Sequence, residues 1–395
     1  MAGTQLVPGG GGRVLLLSMR RVSKLVAYCI DYEFEDVFRE LTNADRIDVD
    51  DHEALEWSRR FYRYTRHVTG ARRRPGSFAG FHTEVKLERD YELFFPVFNH
   101  PHELFALAVV PDWRKRCRIA ACFISEAWLQ QLPHYLLEML APFDHVFVAV
   151  GHPTEELARV VERPCTYLPL AVDVPRFAPE PGAPERPIDV CNIGRRSQTT
   201  HAALLKLAAA ERRFFYYYDT VEASGLDMKQ RTFRVQDASE HRLLLASLLQ
   251  RSRYCFAHRG FVNDPRVTQG RDEISSRVYE GAAAGVVMLG EPPRNEAFRQ
   301  QFDWAEPVIP VPFDCPDIGR VIAELDADPL RLAEIRRENV RHSALRHDWL
   351  YRIRAVFHTL GLTSTEAMDA RAARLQTIAE ACDGSLRQLR HSVAQ

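Results

Sequence analysis

The sequence predicts an α/β protein built from two doubly wound, Rossmann-like domains. Short apolar runs, typical of buried strands, alternate with helical patterns over most of the 395 residues. These runs are continuously apolar, which favours parallel strands covered by helices on both faces of a sheet. Residues 164–187 are rich in proline and divide the alternation into two stretches, because that proline density is incompatible with helices or central strands.

The first stretch forms a predicted N-terminal domain, residues 1–166. A Gly-rich leader precedes its first buried strand. The predicted strands are 13–19, 46–49, 93–98, 118–124 and 145–150. The helical patterns between them are 31–41, 103–110 and 130–140.

A Pro-rich linker, 167–187, leads into a predicted C-terminal domain, 188–345. Its predicted strands are 188–193, 214–218, 253–258, 286–289 and 306–311. Its predicted helices are 200–213, 241–252 and 316–339. Residues 346–395 read as further helices, which we expect to pack back toward the N-terminal domain. Two such domains would face each other across a cleft, where open α/β sheets bind ligands.

Composition excludes several classes of function. With 46% hydrophobic residues, 27% charged residues and a net charge of −1, the chain has no overall attraction to nucleic acid or an anionic membrane. No apolar run approaches the roughly 18 residues that span a bilayer, and the N-terminus lacks the basic region of a signal peptide. The eight cysteines form no CxxC pair and predict neither a zinc site nor a disulfide framework. We expect a cytoplasmic protein, with a peripheral position at the inner face of the membrane as the alternative.

The segment SSRVYEGAAAGVVMLG, residues 275–290, is the most informative motif. Ser275 or Ser276 is the expected N-cap of a helix on which Arg277 and Glu280 share one face. A helix N-terminus with an arginine suits a phosphate, and a carboxylate suits the vicinal hydroxyls of a ribose. The alternative is a solvated surface ion pair. The buried helix and strand that follow favour a ligand site.

In its wider context, DEISSRVYEGAAAGVVMLGE (272–291) resembles the nucleotide-sugar signature of retaining GT-B glycosyltransferases of the group 1 class. The Ser-Arg-x-x-Glu version is similar to the spore-maturation-type branch. Glu280 matches the glutamate that holds the donor ribose in that family, and Arg277 would address the donor phosphates. The upstream acidic residue, near the transferred sugar, is either Asp272 at the family's spacing or Glu273.

Two further segments carry the resemblance. Residues 167–180, YLPLAVDVPRFAPE, are similar to the family's interdomain segment, and residues 188–196, IDVCNIGRR, to the strand and turn that open its nucleotide-binding domain. The resemblance implies that Arg195 or Arg196 reaches the diphosphate and that His258 and Arg259 lie near the nucleotide. It also implies a GT-B-like fold, a nucleotide-diphosphate-sugar donor, hexosyl or related transfer with retention, and no metal or other cofactor.

In the N-terminal domain, which would bring the acceptor, Glu126 follows a predicted strand. It is a candidate catalytic base or acceptor ligand, or else a helix N-terminal carboxylate with Trp128 as packing. The basic, aromatic run 59–75 reads as a solvated helix, a nucleic-acid or membrane surface, or contact with an anionic or lipid-linked acceptor. Nucleic acid is disfavoured by the net charge. The alternative functions are a GT-B-like nucleotide-sugar epimerase and a catalytically silent nucleotide-binding protein.

Overall fold

A computed structural model gives the architecture of the chain. It describes residues 3–51, 84–126, 138–149, 154–180, 185–220, 234–264 and 270–393, together with 53, 56–57, 60 and 268. The chain divides into two compact units. The first comprises Met1–Pro169, Arg234–Ser239 and Arg352–Met368, and the second comprises Leu170–Phe233, Glu240–Tyr351 and Asp369–Gln395.

The first unit contains a seven-stranded sheet in the order β1-β3-β2-β4-β5-β6-β7. Its strands are β1 Gln5–Val7, β2 Val14–Ser18, β3 Asp45–Asp48, β4 Tyr91–Phe98, β5 Cys117–Ile124, β6 His145–Val148 and β7 Cys165–Tyr167. All pairings are parallel except that of β1 with β3. The central strands are buried on both faces, as their continuously apolar runs predict.

The N-terminal leader contributes more structure than its composition predicts. Gln5–Val7 pairs with β3, and the Gly9 N–H donates to Asp45 Oδ1 at 2.7 Å. Asp45 also accepts from Tyr91 and Arg89, and these contacts hold the start of the chain against the sheet. The segment Pro101–Val109, predicted as α-helical, is a 3₁₀ helix.

The second unit contains a five-stranded, wholly parallel sheet in the order β12-β11-β10-β8-β9. Its strands are β8 Ile188–Asn192, β9 Tyr216–Tyr218, β10 Ser252–Phe256, β11 Val287–Gly290 and β12 Ile309–Pro310. The α-helices whose bounds fall within the described residues are Cys29–Thr42, Thr154–Val161, Val174–Phe177, Gln198–Ala210, Ala238–Gln250, Ser276–Ala283, Glu296–Gln301, Ile318–Asp326, Pro329–Arg346, Trp349–Thr359 and Glu366–Val393. The helix predicted over 316–339 is two helices, because Pro329 begins a new one after Asp328 accepts from the Arg331 N–H.

The Pro-rich segment is largely packed. It contains β7 and the short helix Val174–Phe177, and Val174 and Phe177 are buried. Arg371 donates to Asp173 and to Asp348, which ties this segment to the C-terminal helices within the second unit. Residues 181–184 lie outside the described residues.

All eight cysteines are free, and most are buried within apolar surroundings, as small hydrophobic residues would be. Among the helices in the described part of the chain, none is long and apolar enough to cross a membrane.

Candidate functional site

The candidate site lies along the carboxyl ends of the parallel strands in the second unit. Ligands of open α/β sheets bind at this edge, because the strand-to-helix loops converge there and the helix N-termini point toward it. The Gly-Arg-Arg turn follows β8, Asp219 follows β9, His258 and Arg259 follow β10, and Glu291 follows β11. The structure therefore brings most of the predicted donor-binding residues to one edge of one sheet.

Glu280 is the most deeply buried of the predicted residues, with 2% of its surface exposed. Its Oε1 accepts from Arg242, which is equally buried, and its Oε2 lies 3.0 Å from Arg277 Nη1. Burial, the strongest single influence, opposes ionisation of Glu280, but Arg277 and Arg242 together outweigh it and hold the pKa of this carboxyl below its usual value. The carboxylate is thus ionised at neutral pH between two arginines.

The Arg277–Glu280 contact is an ion pair without hydrogen-bond geometry. Glu280 Oε2 and Arg277 Nη1 are both buried and make no hydrogen bond with any described residue. The predicted i, i+3 pair therefore exists, but it is not the solvated surface pair of the alternative interpretation, since the arginine side chain is only 18% exposed. One acceptor and one donor in this buried pair remain unsatisfied.

The helix Ser276–Ala283 begins at the predicted place but is capped differently. Ser275 occupies the N-cap position, yet its hydroxyl makes no capping hydrogen bond and donates instead to the His258 carbonyl at 2.6 Å. Ser276 is the first residue of the helix. Ser275 is therefore the N-cap residue, as predicted, but its hydroxyl does not cap the helix and instead ties it to the loop after β10.

The turn after β8 presents the two predicted arginines in different ways. Arg195 donates to Asn263 Oδ1 at 3.0 Å and stacks over the Phe261 ring. Arg196 donates to the Asp219 carbonyl at 2.9 Å and lies over Tyr218, and its buried Nε makes no hydrogen bond with a described residue. Of the two, Arg196 retains a buried donor at the sheet edge.

Gly194 opens this turn with a φ of 92°, a conformation that glycine adopts without strain. Its N–H donates to Asp219 Oδ2 at 3.0 Å. Ser197 then caps the helix Gln198–Ala210 by accepting from the Thr200 N–H, and its hydroxyl donates to Asp314. These contacts hold the arginine-bearing turn in place.

His258 and Arg259 form a second polar group with Glu291. His258 Nδ1 accepts from the Glu291 N–H at 3.1 Å, so the neutral ring carries its proton on Nε2. Burial, reinforced by Arg259, lowers the pKa of His258 to about 4, and His258 is uncharged at neutral pH. Arg259 lies 3.4 Å from Asp272 and 3.7 Å from Glu291.

The two upstream acidic residues differ in their contacts. Asp272 Oδ2 accepts from the Arg294 N–H at 2.9 Å while Oδ1 pairs with Arg259. Glu273 fixes the backbone through its carbonyl, which accepts from the Gly260 N–H at 2.7 Å. The Asp272 carboxylate thus belongs to the Arg259 cluster. The choice between Asp272 and Glu273 as the residue nearest the sugar stays a prediction.

Sequence reasoning missed Arg242 and Glu291. Arg242 lies on the helix Ala238–Gln250, 38 residues before its partner Glu280. An arginine within the apolar run HRLLLASLL was the available signal, because a buried charge needs a partner. For Glu291 the available signal was its place directly after the buried strand β11.

Glu126 follows β5 in the first unit, and its N–H donates to the Asn99 carbonyl at 3.0 Å. Its predicted neighbour Trp128 lies outside the described residues, as does the run 59–75 apart from Arg60. Within the described residues, no group of three or more His, Cys, Asp or Glu is placed to hold a metal ion.

Comparisons with known proteins bear on the family and the fold. Residues 226–358 match the glycosyl transferase-like family model, a range that contains Arg242, His258 and Glu280. No curated protein matches the sequence significantly. Among solved structures, HepE from Anabaena, crystallised in complex with UDP-glucose, is 10% identical with a TM-score of 0.51, over 88% of this chain and 99% of its own.

A glycosyltransferase from Rickettsia africae is 9% identical with a TM-score of 0.48, over 89% of this chain and 98% of its own. The predicted fold class, a pair of Rossmann-like domains of the GT-B type, is confirmed. The spore-maturation branch and the retaining mechanism stay predictions. The chain thus has the fold of GT-B glycosyltransferases, and about a third of it, residues 226–358, matches a glycosyl transferase-like family.

Proposed function

We propose that this protein transfers a glycosyl group from a nucleotide-diphosphate-sugar to an acceptor, with the donor bound at the carboxyl edge of the second sheet. The observation that carries the proposal is the buried Arg242–Glu280–Arg277 group at the start of the helix Ser276–Ala283. It leaves one carboxylate oxygen and one guanidinium nitrogen unsatisfied, and a buried polar atom without a partner costs about 1–3 kcal/mol. A ligand with hydroxyls and phosphates would satisfy both.

In this proposal Glu280 Oε2 accepts a hydrogen bond from a ribose hydroxyl. Arg277, Arg196 and the N-terminal end of the helix Ser276–Ala283 neutralise the diphosphate. The same positive groups assist the reaction, because negative charge builds on the departing nucleoside diphosphate in the transition state. Arg242 acts from beneath the site by keeping Glu280 ionised and oriented.

The transferred sugar would then lie toward Asp272 and Arg259. His258, uncharged and with its proton on Nε2, is a neutral hydrogen-bond donor at that end of the site. We propose hexosyl or related transfer with retention at the anomeric carbon. The anomeric proton coupling of the first-formed product, measured by NMR, tests the retention.

A thermal-shift panel tests the donor site. Uridine, guanosine and adenosine diphosphates and their sugars are added to the full chain, with UDP-glucose as the first probe. We expect one nucleotide to raise the melting temperature, since a ligand at 100 times its Kd stabilises by about 2.7 kcal/mol. Glu280→Gln should remove that shift relative to the variant's own melting temperature.

Glu296→Gln is the matched control. It removes the carboxylate of another i, i+3 pair with arginine, one that is exposed on the neighbouring helix Glu296–Gln301. The proposal fails if no nucleotide stabilises the native chain, or if Glu280→Gln leaves the shift intact. Conversion of the donor sugar to an epimer, with no acceptor required, would indicate an epimerase. A nucleotide that binds without turnover across an acceptor panel would indicate a silent binding protein.

A further inference from the structure

Three sulfur-containing side chains lie in a row across the second sheet. Cys255 on β10 is the register partner of Cys191 on β8 and of Met288 on β11. Register partners on parallel strands point to the same face of a sheet, so the three side chains form one line across three neighbouring strands. All three are buried, with at most 2% of their surface exposed. We call this group the sulfur row.

The sulfur row faces the helix Ser276–Ala283. The residues that immediately precede its members belong to the apolar core on the other face of the sheet: Val190, Tyr254 and Val287. On the helix side, a Cβ placed on Gly281 would lie 2.5 Å from Met288 Sδ and 3.4 Å from Cys255 Sγ. The two sulfurs therefore converge on one point beneath this glycine.

The spacing of the strands suits a metal ion held between two thiolates. Neighbouring strands lie about 4.8 Å apart, and two metal–sulfur bonds of about 2.3 Å each span nearly that distance. A disulfide between Cys191 and Cys255 would need their Cβ atoms about 3.5–4.5 Å apart, which is closer than the strand spacing favours. Both cysteines are free. Thiolate and thioether sulfurs together are the ligands of soft ions such as Cu(I).

An ion between the two cysteines would take the place of their protons. Burial raises the pKa of the Cys191 thiol to about 11, and burial, followed by the neighbouring thiol, raises the pKa of Cys255. Both side chains are therefore protonated at neutral pH when no metal is bound. A monovalent ion that binds both sulfurs releases two protons and forms a complex with a single negative charge.

A neighbouring arginine can balance that charge. Arg186 is partly buried and donates to backbone carbonyl oxygens at 2.7–3.2 Å, and it pairs with no carboxylate in the described part of the chain. Burial, reinforced by Arg336, lowers the pKa of Arg186 to about 10, as expected of a cation with no anion beside it. Arg277 and Arg186 both oppose the effect of burial on the pKa of Cys255. The protein thus supplies positive charge next to the sulfur row.

We propose that Cys191, Cys255 and Met288 form a binding site for a soft monovalent metal ion of the Cu(I) class. The two thiolates are the principal ligands, and the thioether of Met288 is the third. Gly281 leaves the space that the Met288 sulfur occupies. The site takes no part in the proposed glycosyl transfer, for which no metal is expected, and the inference does not rest on that function.

Competition for Cu(I) on the full chain tests the proposal. The reduced protein and the coloured chelator bathocuproine disulfonate share Cu(I) under anaerobic conditions. We expect the protein to hold the first equivalent of Cu(I) and to show an ultraviolet charge-transfer band from thiolate to copper. Copper K-edge absorption of the native chain should show only sulfur ligands, and nitrogen or oxygen ligands would overturn the site.

Cys255→Ala should lose the tightly held Cu(I). Met288→Leu keeps the volume of the side chain and should weaken binding by about tenfold, as loss of a supporting residue does at other metal sites. Cys117→Ala and Met368→Leu are the matched controls, because both residues are buried and Cys117 has Tyr91 as its register partner instead of a sulfur residue. Thermal melts without copper show whether each variant is folded. If Cys255→Ala does not fold, Met288→Leu and the K-edge spectrum of the native chain still decide the question.

Failure of the native chain to hold Cu(I) against the chelator overturns the proposal, as does equal Cu(I) affinity in Cys255→Ala and Cys117→Ala. Equal affinity in Met288→Leu and Met368→Leu overturns the three-sulfur site. If peroxide links Cys191 to Cys255 and the reduced chain holds no Cu(I), the two cysteines are a redox pair and not a metal site. A chain that holds Cu(I) but is stabilised by no nucleotide overturns the donor site alone.

Discussion

Removing the charge of Glu280 is the sharpest test of the buried arginine–glutamate group. Glu280→Gln preserves the size of the side chain and leaves Arg242 and Arg277 facing each other without a carboxylate between them. Arg242 is 2% exposed, so it cannot turn into solvent to recover hydration. The substitution should therefore destabilise the second unit even when no ligand is present.

The expected magnitude follows from the burial of the group. Breaking a buried ion pair by removing one partner costs about 3–5 kcal/mol, because an uncompensated charge is left behind. For a domain of this size, each kcal/mol of destabilisation lowers the melting temperature by roughly 2–4 °C. A destabilisation of about 3 kcal/mol, the lower limit, therefore corresponds to a loss of about 6–12 °C. Glu296→Gln breaks an exposed pair and should cost less than about 1 kcal/mol.

The two arginines should also differ. Arg242→Met should lower the free energy of unfolding more than Arg277→Met does. It removes the only arginine among the described residues that is hydrogen-bonded to Glu280, whereas Arg277 is the more exposed partner. Urea unfolding followed by circular dichroism at pH 7 measures each free energy of unfolding. A cost below about 1 kcal/mol for Glu280→Gln would refute the conclusion that its charge is buried and needed.

Two further predictions concern His258 and two glycines with positive φ, Gly285 and Gly361. His258 has a pKa of about 4 in the fold against an ordinary value of 6.5, so the unfolded chain takes up its proton more readily. Its contribution to stability is full above about pH 6.5 and is lost as the pH falls toward 4. His258→Gln should reduce the loss over that range by roughly 2–3 kcal/mol in urea unfolding, and an unchanged pH profile would contradict the assignment. Gly285 and Gly361 both have positive φ, but only at Gly285 would a Cβ meet another atom, Val340 Cγ2 at 2.8 Å. Gly361→Ala should therefore cost about 1 kcal/mol, and Gly285→Ala should cost about 1–3 kcal/mol more. Equal melting temperatures for the two variants would show that the close approach to Val340 is relaxed easily.

The sheet strands were largely predictable because their signal is local. A buried parallel strand must be apolar at nearly every position, and runs such as those of β2, β5 and β11 leave no other assignment. The strand Gln5–Val7 was missed because it is short and partly exposed, and it is held by Asp45 and Gly9 rather than by its own apolar content. The residues that determine this strand, β3 and Asp45, lie about 40 residues further along the chain.

In the candidate site, too, the residues that could be predicted are those whose signal is local in the sequence. Arg277 and Glu280 were identified because they lie three residues apart on one helix, where spacing alone places them on one face. Arg242 was not, because nothing in the sequence near residue 242 specifies that its partner lies on a helix beyond the next strand.

The long-range pair between Arg242 and Glu280 also decides how the motif at residues 275–290 is interpreted. The spacing of Arg277 and Glu280 is equally compatible with a weak surface pair. That alternative is excluded by the burial of Glu280 and by its contact with Arg242, which lies on the helix Ala238–Gln250. Because Arg242 adds a second positive charge to that of Arg277, Glu280 stays ionised at full burial although one of its oxygens makes no hydrogen bond with a described residue. If Arg277 were the only arginine beside Glu280, its charge would be needed to keep that carboxylate ionised. In the proposed donor site, it is the second, unpredicted arginine that leaves an oxygen of Glu280 for a ligand hydroxyl and Arg277 for a phosphate.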